Sequence, residues 1–148
     1  MNKYYEEHTL NDTRETFGRT ICEADIIFHA GHTGDFFPHH LDKEFCKKQP
    51  FKKRIAHGTM TFSIGIGLSA TSINEHAMTY GYDKLRFPKP VFIGDTIRTH
   101  IEITKKTDYA KNDKFGLVVE TCKVLNQHDE VVLYCEHILL VEKKHDEL

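Results

Sequence analysis

The stretch Thr59-Met60-Thr61-Phe62-Ser63-Ile64-Gly65-Ile66-Gly67-Leu68 decides which fold this chain can adopt. Met60, Phe62, Ile64, Ile66 and Leu68 alternate with Thr61, Ser63, Gly65 and Gly67, the period of a half-buried strand. Local pattern alone says strand, and each interior glycine would cost a helix about 1 kcal/mol relative to alanine. A helix of the same residues would be apolar or small all round, as a buried helix is, and its small residues would admit a closely packed sheet. In the first case the segment is one more strand; in the second it is the body that the other strands enclose.

Downstream, Asp95 to Thr104 alternates as a half-buried strand should. Gly116 to Leu125 and Glu130 to Val141 are two more, and Asn126-Gln127-His128-Asp129 between them has turn composition, so the pair is expected as an antiparallel hairpin. Upstream, residues 1–20 are polar, with Phe17-Gly18 as a break, and read as an edge strand or arm. From Cys22 to His32, Ala24, Ile27, Phe28 and Gly31 recur near helical spacing, with Thr20 as expected N-cap and Glu23 three residues on in a capping-box pattern. That helix should end at Gly31 to Gly34. A second, short amphipathic helix is expected over Leu41 to Lys48, ending before Pro50.

Between these helices lies Gly34-Asp35-Phe36-Phe37-Pro38-His39-His40, which sets a carboxylate and an imidazole five residues apart around a proline. Proline fixes its own φ and pushes the preceding residue toward extended geometry, so the segment cannot be a continuous helix. It is read as a stiff loop, where reactive groups commonly sit. Sixteen residues after Pro38 begins Arg54-Ile55-Ala56-His57-Gly58-Thr59-Met60, where a glycine precedes the apolar run and leaves its backbone amide approachable. One segment offers proton transfer, the other a donor for a developing oxyanion. Taken singly, Asp35 also reads as a turn cap, His40 as an ordinary partly buried histidine and Gly58 as a turn glycine.

Thr33-Gly34-Asp35, Pro38, His40 and Asp42, followed by Arg54-Ile55-Ala56-His57-Gly58, resemble the hydratase signature of the MaoC-like acyl dehydratases, the family that includes the (R)-specific enoyl-CoA hydratases. Asp35, Pro38 and His40 match that signature, while Phe37 stands where the family has asparagine and His39 where it has an aliphatic residue. Arg86-Phe87-Pro88-Lys89-Pro90-Val91 and Gly94-Asp95 look like the family's strand pair after the central helix, so the resemblance covers nearly the whole chain. It implies an α+β hot-dog fold, a curved antiparallel sheet wrapped around a central helix, and therefore a helix over 59–68. It implies hydration or dehydration across the 2,3 double bond of an enoyl thioester, with Asp35, His40 and Gly58 as catalytic residues and Phe37, Pro38 and His57 in contact with substrate. His40 is expected to activate water, Asp35 to hold that water or hand a proton to C2, and the Gly58 N–H to receive the thioester oxygen. The resemblance further implies an acyl-CoA or acyl-carrier thioester as substrate and a homodimer or higher homo-oligomer. No cofactor and no metal are expected. A hot-dog thioesterase and an inactive acyl-thioester binding protein are the alternatives.

Composition bounds the rest. The 148 residues read as one domain, 1–148, and 39% of them are hydrophobic, enough for a sizeable core. With 20 basic and 22 acidic residues the net charge is −2, so no overall basic field points to nucleic acid or an anionic membrane. Any polyanion contact would be local, and Lys47, Lys48, Lys52, Lys53 and Arg54 form the dense basic stretch near the motif, a candidate for steering a CoA carrier. His29, His32, His39, His40 and His57 crowd one region, which raises a rival metal reading, but no His-Glu-x-x-His or paired-cysteine pattern accompanies them. Cys22, Cys46, Cys122 and Cys135 form no Cys-x-x-Cys pair and the first residues lack an apolar leader, so they are expected as reduced thiols in a cytoplasmic protein. No apolar run approaches a membrane span, and no membrane partner is expected. His145-Asp146-Glu147-Leu148 spells an endoplasmic reticulum retention signal, which is read as a chance match in a solvated tail.

Overall fold

The computed structural model describes residues 2–70 and 74–145. After a single 3-10 turn at Tyr5–Glu7, the elements are β1 (Thr13–Glu15), β2 (Arg19–Thr20), α1 (Glu23–Thr33), α2 (Pro38–Leu41), α3 (Lys43–Cys46), α4 (Gly58–Ser69), β3 (Ala77–Arg86), β4 (Thr96–Asp108), β5 (Phe115–Leu125) and β6 (Val131–Glu142). The last three residues of the charged tail, 146–148, lie outside the described residues. All strand pairings are antiparallel, in the order β1-β4-β5-β6-β3, with β2 also on β4.

The disputed segment is a helix. Its Met60, Thr61 and Gly65 are buried, and the sheet closes on it because both partners are small at the contact. A methyl on Gly65 would come within 2.5 Å of Val124 Cγ2, and the Gly65 carbonyl accepts a 2.7 Å hydrogen bond from Thr99 Oγ1 on β4. The alternation in the sequence is real, yet burial on several sides removes the need for a one-sided apolar stripe. The core joins Met60 of α4 to Ile97 and Ile101 of β4, Cys122 and Val124 of β5, and Leu133 and Cys135 of β6. Ile101, Cys122 and Cys135 sit directly opposite one another across three strands, as period-two burial requires. This is the expected curved antiparallel sheet on a central helix.

Four local expectations are corrected. The N-cap of α1 is Cys22, not Thr20: Asp25 reaches back to accept from the Cys22 amide at 2.9 Å, while the Thr20 hydroxyl is engaged with Thr96 Oγ1 at 2.7 Å in the β2–β4 pairing. The helix foreseen over Leu41 to Lys48 is two single turns, α2 and α3, because Asp42 leaves helical geometry to cap α3 through a 2.9 Å bond from the Phe45 amide. The strand pair placed at Arg86–Val91 and Gly94–Asp95 is, beyond the last residue of β3, an irregular connection: buried Val91 accepts from the Ala56 amide, Phe92 bridges Ile55, and Gly94 and Asp95 exchange backbone hydrogen bonds with Ile21. The strand before it, β3, had no foreseen counterpart: it carries no buried residue, and two register irregularities break its alternation.

Candidate active site

Gly34 closes α1 in the left-handed conformation (φ 79°), where its N–H donates to the Ala30 carbonyl at 2.8 Å. Glycine takes this conformation without the Cβ penalty, so the chain leaves the helix sharply. Asp35 follows at once, its amide donating to Thr33 Oγ1 and its Oδ1 accepting from the Phe37 amide, both at 3.2 Å. Pro38 then occupies the first position of α2, where its missing N–H costs nothing, and the single turn swings His40 back toward Asp35. The carboxylate oxygen and His40 Nε2 end 3.9 Å apart, with the Asp35 side chain half exposed and that of His40 11% exposed. This gap is too long for a direct hydrogen bond, and one water can touch both atoms.

The protonation of His40 follows from its partners. Nδ1 lies 2.8 Å from the Ile55 carbonyl, which can only accept, so Nδ1 carries the proton and Nε2 presents its lone pair toward Asp35. Burial pushes the His40 pKa below the ordinary imidazole value, against the opposing effect of the Ile55 hydrogen bond. Neutral His40 is thereby a base held in one tautomer. Arg54 secures the other side: its Nε donates to the His40 carbonyl at 2.8 Å while Nη1 pairs with Glu23 of α1 at 2.6 Å.

His57, 1% exposed, is the N-cap of α4 and stacks on His40 with ring centroids 3.7 Å apart. Its Nε2 donates to the Asp35 carbonyl at 2.9 Å, which ties the acid's backbone to the helix start. Gly58 is the first residue of α4, so its amide has no intrahelical acceptor and lies at the positive end of the helix dipole. A methyl on Gly58 would meet the Phe87 ring at 3.0 Å, so glycine here accommodates that half-exposed aromatic. Asp35, His40, His57 and Gly58 therefore meet at one end of α4.

Phe37 is exposed at the rim, edge-on to His39 at 4.6 Å, and Pro38 supplies the turn. Of the crowded histidines, His29 reaches the cluster by packing on His57 and contacting Thr59 Oγ1, whereas His39 packs among Phe37, Phe45 and Phe51. Asp35, His40 and His57 offer ligand atoms within 4.8 Å of one another. Face-to-face stacking aligns the two imidazoles, whereas joint ligation requires their in-plane lone pairs to converge, so the arrangement suits proton transfer better than metal binding. Ile55 and Arg54 were not foreseen in these supporting roles. Ile55 acts through its carbonyl, which leaves no side-chain signal, and Arg54 looked like part of a basic run.

Comparison with known proteins identifies the family and the fold. A family model described as the MaoC like domain matches residues 6–124. A 3-hydroxybutyryl-CoA dehydratase of Methylorubrum extorquens is 31% identical over 97% of this chain and 87% of its own length, and an (R)-specific enoyl-CoA hydratase of Rhodospirillum rubrum is 30% identical over 79% and 82%. The match to protein MaoC of Klebsiella aerogenes, 37% identical over 72% of this chain, spans only 32% of that longer protein. Among solved structures, an Archaeoglobus protein described as a monoamine oxidase regulatory protein superposes with a TM-score of 0.91 at 36% identity, covering 97% of each chain. The unliganded R-hydratase PhaJ1 of Pseudomonas aeruginosa gives 0.77 at 27% identity, covering 99% of this chain and 94% of its own. With the family domain matched across most of its length and a sheet wrapped on a helix as in these relatives, the chain belongs to the MaoC-like dehydratase family and has its hot-dog fold.

Proposed function

We propose that the chain adds water to, or removes it from, the 2,3 double bond of an enoyl thioester, with Asp35 and His40 as the catalytic pair. Relatives named as enoyl-CoA hydratase and 3-hydroxybutyryl-CoA dehydratase support the reaction class. The observation that carries the residue assignment is the His40 tautomer: Nδ1 is committed to Ile55, and Nε2 faces Asp35 across a gap sized for one water. In the hydration direction Asp35 holds the water and His40 Nε2 takes its proton as the oxygen bonds to C3. The electron pair of the double bond moves toward the thioester carbonyl, whose oxygen receives the Gly58 N–H. The imidazolium returns the proton to C2, so the elements of one water are added and both residues regain their starting states. Phe37 and Pro38 shape the mouth, Phe37 with an aromatic face where the family signature has asparagine, while His57, expected to contact substrate, is buried and supports the site through the Asp35 carbonyl and the His40 ring.

Lys43, Lys47, Lys52, Lys53 and Arg54 line a surface hollow of about 290 Å³ with Phe92 and Ile93. The hollow adjoins the site through Arg54, and its charge fits the phosphates of a CoA carrier. The edge strand β3 exposes Met78 and Tyr80, and an uncovered edge is satisfied by pairing, which favours assembly with a second copy. No helix among the described residues is long and apolar enough to cross a membrane.

Loss of absorbance from trans-2-enoyl-CoA thioesters tests the reaction directly. Wild type should turn over members of a panel varied in length and branching, and Asp35→Asn and His40→Ala should each lower the rate about a hundredfold or more, within the range of general acid–base catalysis. Intact conjugation throughout the panel, or free thiol released in its place, would overturn the assignment.

A further inference from the structure

A cavity of about 490 Å³ lies at the other end of α4, between its last turns, the N-terminal segment and the concave face of the sheet. Ile66, Ala70, Ala77, Ile103 and Leu139 give it apolar walls. Glu120, Arg14, His137 and His8 also line it, together with the oppositely charged Lys3 and Asp12.

The polar group is unusual in its burial. Glu120 is 3% exposed and shares the inner face of β5 with Val118 and Cys122. Arg14 grips it from β1 with two bonds, 2.6 and 3.1 Å long, so the pair is neutral as a unit and the carboxylate is not free for a cation. His137 sits opposite Glu120 on β6, stacks on Tyr82, and bonds to Thr79 Oγ1 through Nε2 at 2.9 Å. Its Nδ1 lies 3.8 Å from Glu120 and has no hydrogen-bond partner among the described residues. Beside a carboxylate the proton belongs on that nitrogen, which makes Nδ1 an unspent donor. His8, like His137 8% exposed, also carries a ring nitrogen without a partner, Nε2. Buried polar atoms are rarely left unpaired, because each costs roughly the desolvation of the group. Burial holds both imidazoles below their ordinary pKa, hence neutral. The cavity thus combines apolar walls, charged side chains that balance in sign, and two neutral ring nitrogens in its walls that lack a partner among the described residues.

Position links it to the reaction site. Gly58 opens α4 and Ile66 lies eight residues further along the same helix, a rise of about 12 Å. That span matches the length of a medium acyl chain laid along α4 from the Gly58 N–H toward this cavity. We propose that the cavity receives the far end of the acyl chain and selects a neutral hydroxyl there, so the preferred substrate class is a medium-chain 2-enoyl thioester hydroxylated at its distal end. This rests on the hydratase reading for the head of the substrate. A hydroxyl donates and accepts, and can satisfy a donor at His137 and either tautomer of His8; a methyl satisfies neither, and a carboxylate would enter beside Glu120.

Three medium-chain trans-2-enoyl-CoA thioesters of equal length, ending in methyl, hydroxyl or carboxylate, test the inference. Wild type should show kcat/KM about tenfold higher for the hydroxyl-ended member than for either other. His137→Phe, which keeps a ring on Tyr82 but no nitrogen, and His8→Leu should each move the hydroxyl-to-methyl ratio toward one, with thermal melts confirming a folded protein. Preference for the methyl or carboxylate end, or a ratio that survives both substitutions, overturns the inference while leaving the hydratase reading intact. Were no enoyl thioester hydrated, that reading would fail, and calorimetry with saturated acyl-CoA thioesters of the same three ends would still decide: equal binding of the hydroxyl and methyl forms overturns the selectivity.

Discussion

His40 performs its proposed role because a backbone carbonyl, not another side chain, selects its tautomer. A neutral imidazole is the working form, and burial lowers its pKa more than the Ile55 carbonyl raises it. Protonation therefore comes only at a pH below that of a free imidazole, about 6.5. The expected pH profile of kcat/KM falls on the acid side with a midpoint below that value, and a midpoint above it would remove His40 from the role of base. Gly34 shows the same economy at a neighbouring position: its positive φ turns the chain directly out of α1 so that Asp35 meets a residue five positions later.

Helix α4 has two interior glycines that differ in what surrounds them. Gly65 faces Val124 so closely that an added methyl sits 2.5 Å from it, and Gly67 has nothing within 4 Å. Gly65→Ala should destabilise by about 1–3 kcal/mol, the range for overpacking a tight core. Gly67→Ala should instead stabilise by about 0.5–1 kcal/mol, since alanine loses less backbone freedom in a helix. Urea midpoints of the two variants check this, and a stabilised Gly65→Ala would mean that the helix–sheet contact is looser than described. The same contact explains why a period-two pattern folds as a helix. Strand β3 presents the opposite case, for an edge strand without buried residues and with two irregularities has no apolar alternation to detect.

For the whole molecule, pH sensitivity follows from histidines drawn out of water. His8, His29, His40 and His137 all have pKa values lowered chiefly by burial. Below about pH 6.5 the unfolded chain binds protons that the folded chain does not, so unfolding is favoured as pH falls from 7 toward 5. The stabilisation is complete above that value and is lost below it. Urea midpoints measured at pH 7.5 and 5.5 should show the decrease; an equal or higher midpoint at pH 5.5 would contradict it. All four belong to a proposed reaction or substrate site or pack against one, so the groups that weaken the fold in acid are the ones it holds for chemistry.

The sequence by itself determined the long strands β4, β5 and β6, whose alternation survives because one face of each is buried and the other is not. It also determined the loop between α1 and α2, because glycine and proline act on their own backbone and immediate neighbours. Resemblance to a family, not periodicity, identified the central helix. Tertiary structure alone decided what each functional group faces: the Ile55 carbonyl on His40, the half-exposed carboxylate of Asp35, and the Arg14, Glu120, His137 and His8 group at the far end of α4. Those four residues come from β1, β5, β6 and the N-terminal segment, as far as 129 positions apart along the chain. Their meeting depends on strand register and sheet curvature, which arise only when the whole sheet closes around the helix.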